Sequence, residues 1–159
     1  MSAPAPTYGE SQPIFTNRQA ALRISSLTEG LVGLPCIDAV GSRTIMGAAR
    51  PDSDYDILVS GSPDWTAEFM ERLQSEGFKL DGSGHYEPSE GQFNSWRKAD
   101  TNIVLTYRRE FAERFRVANR ICQRFCIAKR ERRVQVFQAV LYDRWPSRVS
   151  AWPSLGPPA

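Results

Sequence analysis

Two short groups of residues carry the chemistry needed to hold a phosphate and a metal ion. Gly41 and Ser42 follow a short apolar run, and Asp54 and Asp56 flank a tyrosine further along the chain. A glycine lets a tight turn bring backbone N–H groups against phosphate oxygens, and the serine adds a hydroxyl. Carboxylates two residues apart on a strand point to the same face, because side chains alternate. The two aspartates can therefore grip one Mg²⁺ ion or bridge two.

The elements predicted around these groups place them at strand ends. Cys36 to Val40 is predicted as a short strand that ends at the glycine, and Asp54 to Ser60 as a second strand that begins with the two acids. The turn-rich stretch Gly47 to Ser53 separates these strands. The helix predicted next, Trp65 to Glu76, has Asp64 in position to cap its first turn.

The rest of the chain predicts more helices and strands in a mixed order. Helical spacing of apolar residues and β-branched composition give the remaining elements. They are helices over Asn17 to Leu31, Arg109 to Ile127 and Arg130 to Tyr142, and strands over Phe78 to Leu80, Asn94 to Arg97 and Thr101 to Tyr107. We expect one folded domain over 14–145, with a flexible tail at 1–13 and a Pro-rich tail at 146–159.

The segment GSRTIMGAARPDSDYDILV closely resembles the signature of small nucleotidyltransferases of the polymerase-beta-like superfamily, of the minimal prokaryotic or phage type. The resemblance covers residues 40–59. It implies an α+β fold with a polymerase-beta-like nucleotidyltransferase core, in which helices pack against a mixed β-sheet and a helical pair lies at the C-terminus. It also implies that the protein binds a nucleoside triphosphate.

The same resemblance implies a role for each residue of the motif. By it, Gly41 and Ser42 hold the triphosphate, and Arg43 assists the phosphates or braces the turn. Asp54 and Asp56 bind the metal ion, Mg²⁺ or Mn²⁺. Asp52, which follows a proline in the turn before them, is interpreted as structural because an acid there often bonds its own backbone.

The third acid of the family, which activates the attacking hydroxyl from a neighbouring strand, has no obvious counterpart here. The family pattern falls on Asn102, and Asp100 lies two residues earlier on the same face, about 6 to 7 Å further along the strand. Either Asp100 completes a catalytic set with Asp54 and Asp56 after a shift or bulge, or the third acid is missing. An amide can coordinate a metal weakly, but it cannot act as a general base.

A basic segment lies within a chain whose net charge is only +2. Between Arg108 and Arg133, ten Arg or Lys residues face three acids. Arg116, Arg120 and Arg124 share a four-residue spacing, which predicts a positive stripe along one side of a helix. The stripe is a solvated face, a contact surface for nucleic-acid phosphates or a source of charge for the nucleotide.

Two functions from different classes stay open. The first is a metal-dependent nucleotidyltransferase that moves a nucleoside monophosphate from an NTP to an acceptor hydroxyl on a small molecule, RNA or a protein. The second is a catalytically degenerate relative that binds nucleotide or nucleic acid as a regulatory or interaction module. The N-terminus does not resemble a secretory signal and no apolar run has the length of a membrane span, so we expect a cytoplasmic protein. His85 is predicted to be an exposed loop residue, and the three cysteines to be buried free thiols.

Overall fold

The computed structural model describes residues 12–81 and 92–144, and a mixed β-sheet is its centre. The strands in this part of the chain are β1 Cys36–Val40, β2 Tyr55–Ser60, β3 Lys79–Leu80, β4 Asn94–Lys98 and β5 Thr101–Thr106. These five strands pair in the order β1-β2-β5-β4-β3. The central pair, β2 and β5, is parallel, and the other neighbours are antiparallel.

Helices cover both faces of this sheet. On one face, three helices build a core that includes Ala20, Leu27, Phe69 and Ile57. On the other, two helices build a second core that includes Phe115 and Leu58. The helices are α1 Asn17–Arg23, α2 Ser25–Thr28 and α3 Pro63–Ser75 on the first face, and α4 Arg109–Arg124 and α5 Arg130–Tyr142 on the second.

The α+β class and the C-terminal helical pair are confirmed. Ile57, Leu58 and Val59 of the central strand are all 0% exposed. A strand covered on both faces shows a continuous apolar run instead of alternation, which is why this segment was recognisable. The rings of Phe115 in α4 and Phe137 in α5 meet edge to face, with centroids 4.8 Å apart.

The structure corrects three details of the predicted helices. The first helix divides at Ile24 into α1 and α2. Ser62 caps α3, accepting a hydrogen bond from the Trp65 N–H at 3.1 Å, so Asp64 lies inside the first turn and is not the cap. Helix α4 ends at Arg124, before the predicted end at Ile127, and the Phe125 that follows it is 70% exposed.

Several expectations fall on residues that the structure does not describe. The C-terminal tail 146–159, His85 and nearly all of the N-terminal tail 1–13 lie outside the described residues. Of the cysteines, Cys122 is buried as expected, whereas Cys36 and Cys126 are exposed. In the described ranges, no helix has the length and apolar character needed to cross a membrane.

Candidate active site

Strand register brings four polar side chains of the candidate site together on the face that α4 and α5 cover. Asp56 of β2 pairs with Asn102 of β5, and Asn102 pairs with Arg97 of β4. Leu58, two residues after Asp56, is buried in the core beneath α4 and α5, so Asp56 shares that face. Asp54, just before β2, points the same way and contacts Arg97. The aspartate pair predicted from sequence is thus assembled on one face.

The glycine of the motif is required by the approach of Asp56. Val40 is the β1 partner of Asp56, so the turn that follows β1 begins beside this carboxylate. Gly41 has a φ of 80°. A Cβ at this position would overlap Oδ2 of Asp56, and a positive φ disfavours any side chain. Only glycine lets the carboxylate and the turn lie in contact.

Asn119 of α4 holds the Gly41 turn from behind. Its Oδ1 accepts a hydrogen bond from the Gly41 N–H at 3.0 Å, and its Nδ2 donates to Oγ1 of Thr44 at 3.1 Å. Thr44 Oγ1 in turn donates to the Gly41 carbonyl at 2.7 Å. Sequence reasoning missed Asn119, although a polar residue among the apolar positions of an amphipathic helix was a usable signal.

Arg43 braces the loop that leads to the two aspartates. Its side chain is buried, with Nε donating to the Ser53 carbonyl at 2.9 Å and Nη2 to the Pro51 carbonyl at 3.1 Å. Its guanidinium lies 4.0 Å from the ring centroid of Tyr55. Of the two roles considered for Arg43, this geometry matches bracing and does not direct the guanidinium to a phosphate.

Tyr55 fixes the start of β2 from the opposite face of the sheet. The guanidinium of Arg23 lies 3.8 Å from its ring centroid, and the Phe15 ring meets it edge to face at 5.1 Å. Contacts between guanidinium groups and aromatic rings are favourable and directional. The residue between the two aspartates therefore anchors both of them.

Asn102 occupies the position beside Asp56 where the third acid was sought. Its Nδ2 donates to Oδ1 of Asp56 at 3.0 Å, and its Oδ1 accepts a hydrogen bond from Ser95 Oγ at 2.9 Å. Burial raises the pKa of Asp56 to about 6, the hydrogen bond from Asn102 opposes that rise, and the nearby charge of Asp54 adds to it. The group beside Asp56 is thus a neutral amide that cannot take up a proton from an acceptor.

Asp100 is not brought to the aspartate pair. Its carboxylate forms an ion pair with Arg23 at 2.6 Å, and this hydrogen bond holds the pKa of Asp100 below its usual value. Arg23 lies over the Tyr55 ring, on the face opposite Asp54 and Asp56. Of the two alternatives for the third acid, the shift or bulge that would align Asp100 with the pair is not observed, because the contact with Arg23 holds the Asp100 side chain on the other face.

Arg97 and Asp81 join the site, and sequence reasoning identified neither. Arg97 Nη1 donates to Oδ2 of Asp54, and its Nε donates to Oδ2 of Asp81 at 3.1 Å. Burial is the largest single effect and opposes the charge of Arg97, but the hydrogen bonds and charges of Asp54 and Asp81 together outweigh it, so the pKa of Arg97 is raised. No sequence pattern indicates this cluster, because Asp54, Asp81 and Arg97 come from separate segments of the chain.

The predicted arginine stripe is not uniform. Arg116 is half-buried, and its Nε donates to Oδ2 of Asp38 at 2.7 Å while Nη2 donates to Ser60 Oγ at 3.0 Å. Arg120 and Arg124 are exposed. Arg116 thus ties α4 to the sheet and is not presented to a partner. Arg120 and Arg124 remain as the exposed residues of the stripe.

The donor set fits a magnesium ion that also binds a triphosphate. In residues 12–81 and 92–144 there is no group of three or more His, Cys, Asp or Glu side chains that could hold a metal. Magnesium commonly keeps several waters and takes one or two protein carboxylates together with substrate phosphates. Asp54 and Asp56 supply those two carboxylates, and the turn at Gly41 lies in contact with one of them.

The distant structural neighbours of this chain include two solved structures. One is the structure of Cid1 in complex with the UTP analog UMPNPP, at 14% identity and a TM-score of 0.42 over 83% of this chain. The other is the structure of a cytoplasmic RNA terminal U-transferase, at 15% identity and a TM-score of 0.44 over 77% of this chain. The matches span 40% and 36% of those chains. No family model and no curated protein matches the sequence.

Proposed function

We propose that this chain is a metal-dependent nucleotidyltransferase that moves a nucleoside monophosphate from a nucleoside triphosphate to an acceptor hydroxyl, with release of pyrophosphate. The observation that carries the proposal is the contact between the Asp56 carboxylate and the Gly41 turn, with Asp54 on the same face. The motif in residues 40–59 supports the minimal prokaryotic or phage type of polymerase-beta-like transferase.

Each residue has a definite task in this reaction. The backbone N–H groups after Gly41 and the Ser42 hydroxyl donate hydrogen bonds to phosphate oxygens. Asp54 and Asp56 hold Mg²⁺ or Mn²⁺. The metal ion would neutralise charge on the phosphates as the bond between them breaks. Asn119 keeps the turn in place. The acceptor is a small molecule, RNA or a protein, and Arg120 and Arg124 are the residues we assign to contacts with a nucleic acid.

The proposal is tested by titrating the protein with each of the four ribonucleoside triphosphates, with and without Mg²⁺. We expect magnesium-dependent binding in the wild type and a loss of at least about tenfold in Asp54→Asn. Asp52→Asn is the matched control, because it removes an exposed carboxylate from the same loop. Equal binding by wild type and Asp54→Asn would refute the proposed site.

A second candidate function, a degenerate module that binds nucleotide without transferring it, is favoured by the amide of Asn102 beside Asp56. Asn102→Asp restores a group that can accept a proton, and general base catalysis contributes about 10² to 10⁴-fold. Pyrophosphate release from each triphosphate separates the two functions. Release by the wild type that is lost in Asp56→Asn supports the transferase. Binding without release in the wild type, with release in Asn102→Asp, supports the module.

A further inference from the structure

Arg97 bridges two carboxylates that belong to different parts of the sheet. Nη1 contacts Oδ2 of Asp54, which precedes β2, and Nε contacts Oδ2 of Asp81, which follows β3, at 3.1 Å. The side chains are only partly exposed, at 41% for Arg97, 32% for Asp54 and 21% for Asp81. Arg97 therefore contacts one of the two carboxylates, those of Asp54 and Asp56, that are assigned above to the metal ion.

The contact with Asp81 does not depend on the contact with Asp54. The Asp81 N–H donates to the Ser95 carbonyl at 2.8 Å, and Lys79 and Arg97 are partners in the β3–β4 register. Asp81 and Arg97 therefore belong to one pair of strands, whereas Asp54 arrives from the loop before β2. Loss of the bond to Asp54 would leave Arg97 attached to Asp81.

A guanidinium and a divalent cation compete for the Asp54 carboxylate. Both are drawn to carboxylate oxygens, and they repel one another at the few ångströms that separate ligands of one carboxylate. A metal ion that binds Oδ2 of Asp54 competes with Nη1 of Arg97 for the same oxygen. A triphosphate that arrives with the metal carries negative charge that can receive the displaced guanidinium.

We propose that Arg97 is an exchangeable counter-ion of the site: the divalent cation displaces it from Asp54, it stays tethered to Asp81, and its guanidinium then contacts the phosphates. The inference rests on the proposed function and deepens it. Arg97 makes the free metal bind weakly and the metal with its phosphates bind well. The site thereby couples metal binding to nucleotide binding.

The exchange is tested by measuring Mn²⁺ binding to the full chain by electron paramagnetic resonance, with and without inorganic tripolyphosphate. We expect Arg97→Gln to bind Mn²⁺ alone roughly threefold to tenfold more tightly than the wild type, because a competing cation is gone. In the same variant, the gain in Mn²⁺ affinity caused by tripolyphosphate shrinks. These two changes have opposite signs, which a merely structural role for Arg97 would not produce.

Lys98→Gln is the matched control, since it removes the same charge from the next residue, whose Nζ donates to the Glu76 carbonyl at 2.6 Å. Equal or weaker Mn²⁺ binding by Arg97→Gln, or the same change in Lys98→Gln, overturns the exchange. If Asp56→Asn abolishes Mn²⁺ binding and Arg97→Gln leaves it unchanged, the exchange is overturned and the proposed function stands. If wild type and Arg97→Gln both bind no Mn²⁺, the proposed function falls with it. Should Arg97→Gln lose its far-UV circular dichroism, Arg97→Met replaces it in the same comparison.

Discussion

Asp56 is a carboxylate whose surroundings oppose its charge. Burial raises its pKa to about 6 and the neighbouring charge of Asp54 acts in the same direction, while the hydrogen bond from Asn102 and the charge of Arg97 act against them. Charges of like sign held side by side destabilise the folded chain until a cation is bound. The fold thus holds two like charges together at a cost in folding free energy, and such costs are common at binding sites.

The pKa of Asp56 predicts how stability depends on pH. The folded protein holds this proton more tightly than the unfolded chain, whose Asp has the ordinary value of 3.8. Stability is therefore highest below that value and falls as the pH rises towards 6, after which the effect is constant. Asp56→Asn removes the effect. We expect the variant to gain little relative to wild type at pH 4 and about 3 kcal/mol at pH 7, because a pKa raised by about two units is worth about 1.4 kcal/mol per unit.

Urea denaturation of both proteins between pH 4 and pH 8, without divalent metal, measures this difference. Asp52→Asn provides the control, because it removes an exposed carboxylate from the loop that precedes β2. A difference between Asp56→Asn and wild type that does not change with pH would show that folding does not raise the pKa of Asp56.

At the scale of elements, α4 has two tasks. Phe111, Phe115 and Cys122 fill the core on that side of the sheet, while Asn119 reaches through to the Gly41 turn. Asn119 is 4% exposed, so its two hydrogen bonds are formed away from water. A polar group in that setting is costly to leave unpaired, which makes it specific in its partners.

Asn119→Ala should therefore destabilise the protein and also loosen the Gly41 turn, to which we assign the phosphates. The variant leaves the Gly41 N–H without its acceptor and removes the hydrogen bond that Thr44 Oγ1 accepts, which costs about 1–3 kcal/mol. We expect the same variant to bind the triphosphate more weakly. Gln123→Ala is the control, because Gln123 lies one turn further along α4, is exposed, and donates only one bond, at 3.3 Å, to the Thr44 carbonyl. Calorimetric melting and nucleotide titration test both effects, and a change of melting temperature in Asn119→Ala no larger than in Gln123→Ala would contradict this account.

The sequence predicted most elements because they depend on local pattern. β1 was predicted with its observed bounds, and so was α5, since apolar spacing and flanking turns lie within a few residues. The placement of Asp54 and Asp56 on one face also follows from alternation along a strand. The ion pair of Asp100 with Arg23 and the contact of Arg97 with Asp54 could not be predicted, since each joins segments far apart in sequence.

Across the whole molecule, positive charge is distributed unevenly along α4. Toward its start, Arg109 pairs with Glu113 at 3.1 Å, and Arg114 pairs with Glu110 at 2.7 Å. Near its end, Arg120 and Arg124 form no ion pair with any residue in the described ranges, and that end lies beside the Gly41 turn through the Gln123 contact with Thr44. The helix therefore has a neutralised beginning and a positive end next to the site.

This asymmetry predicts where a nucleic acid would bind. The double variant Arg120→Gln, Arg124→Gln should weaken binding of a fluorescent single-stranded oligonucleotide roughly tenfold and reduce the salt dependence, lowering the slope by about 1.4 for two lost phosphate contacts. The control is Arg109→Gln, Arg114→Gln, which removes the same charge from the same helix but from residues already paired with acids. Fluorescence anisotropy at several salt concentrations measures both. A local contact surface must distinguish arginines that are paired with acids from arginines that are not. An equal loss of binding in the two double variants would therefore show that only the net charge of the protein matters, and it would contradict a special role for the end of α4.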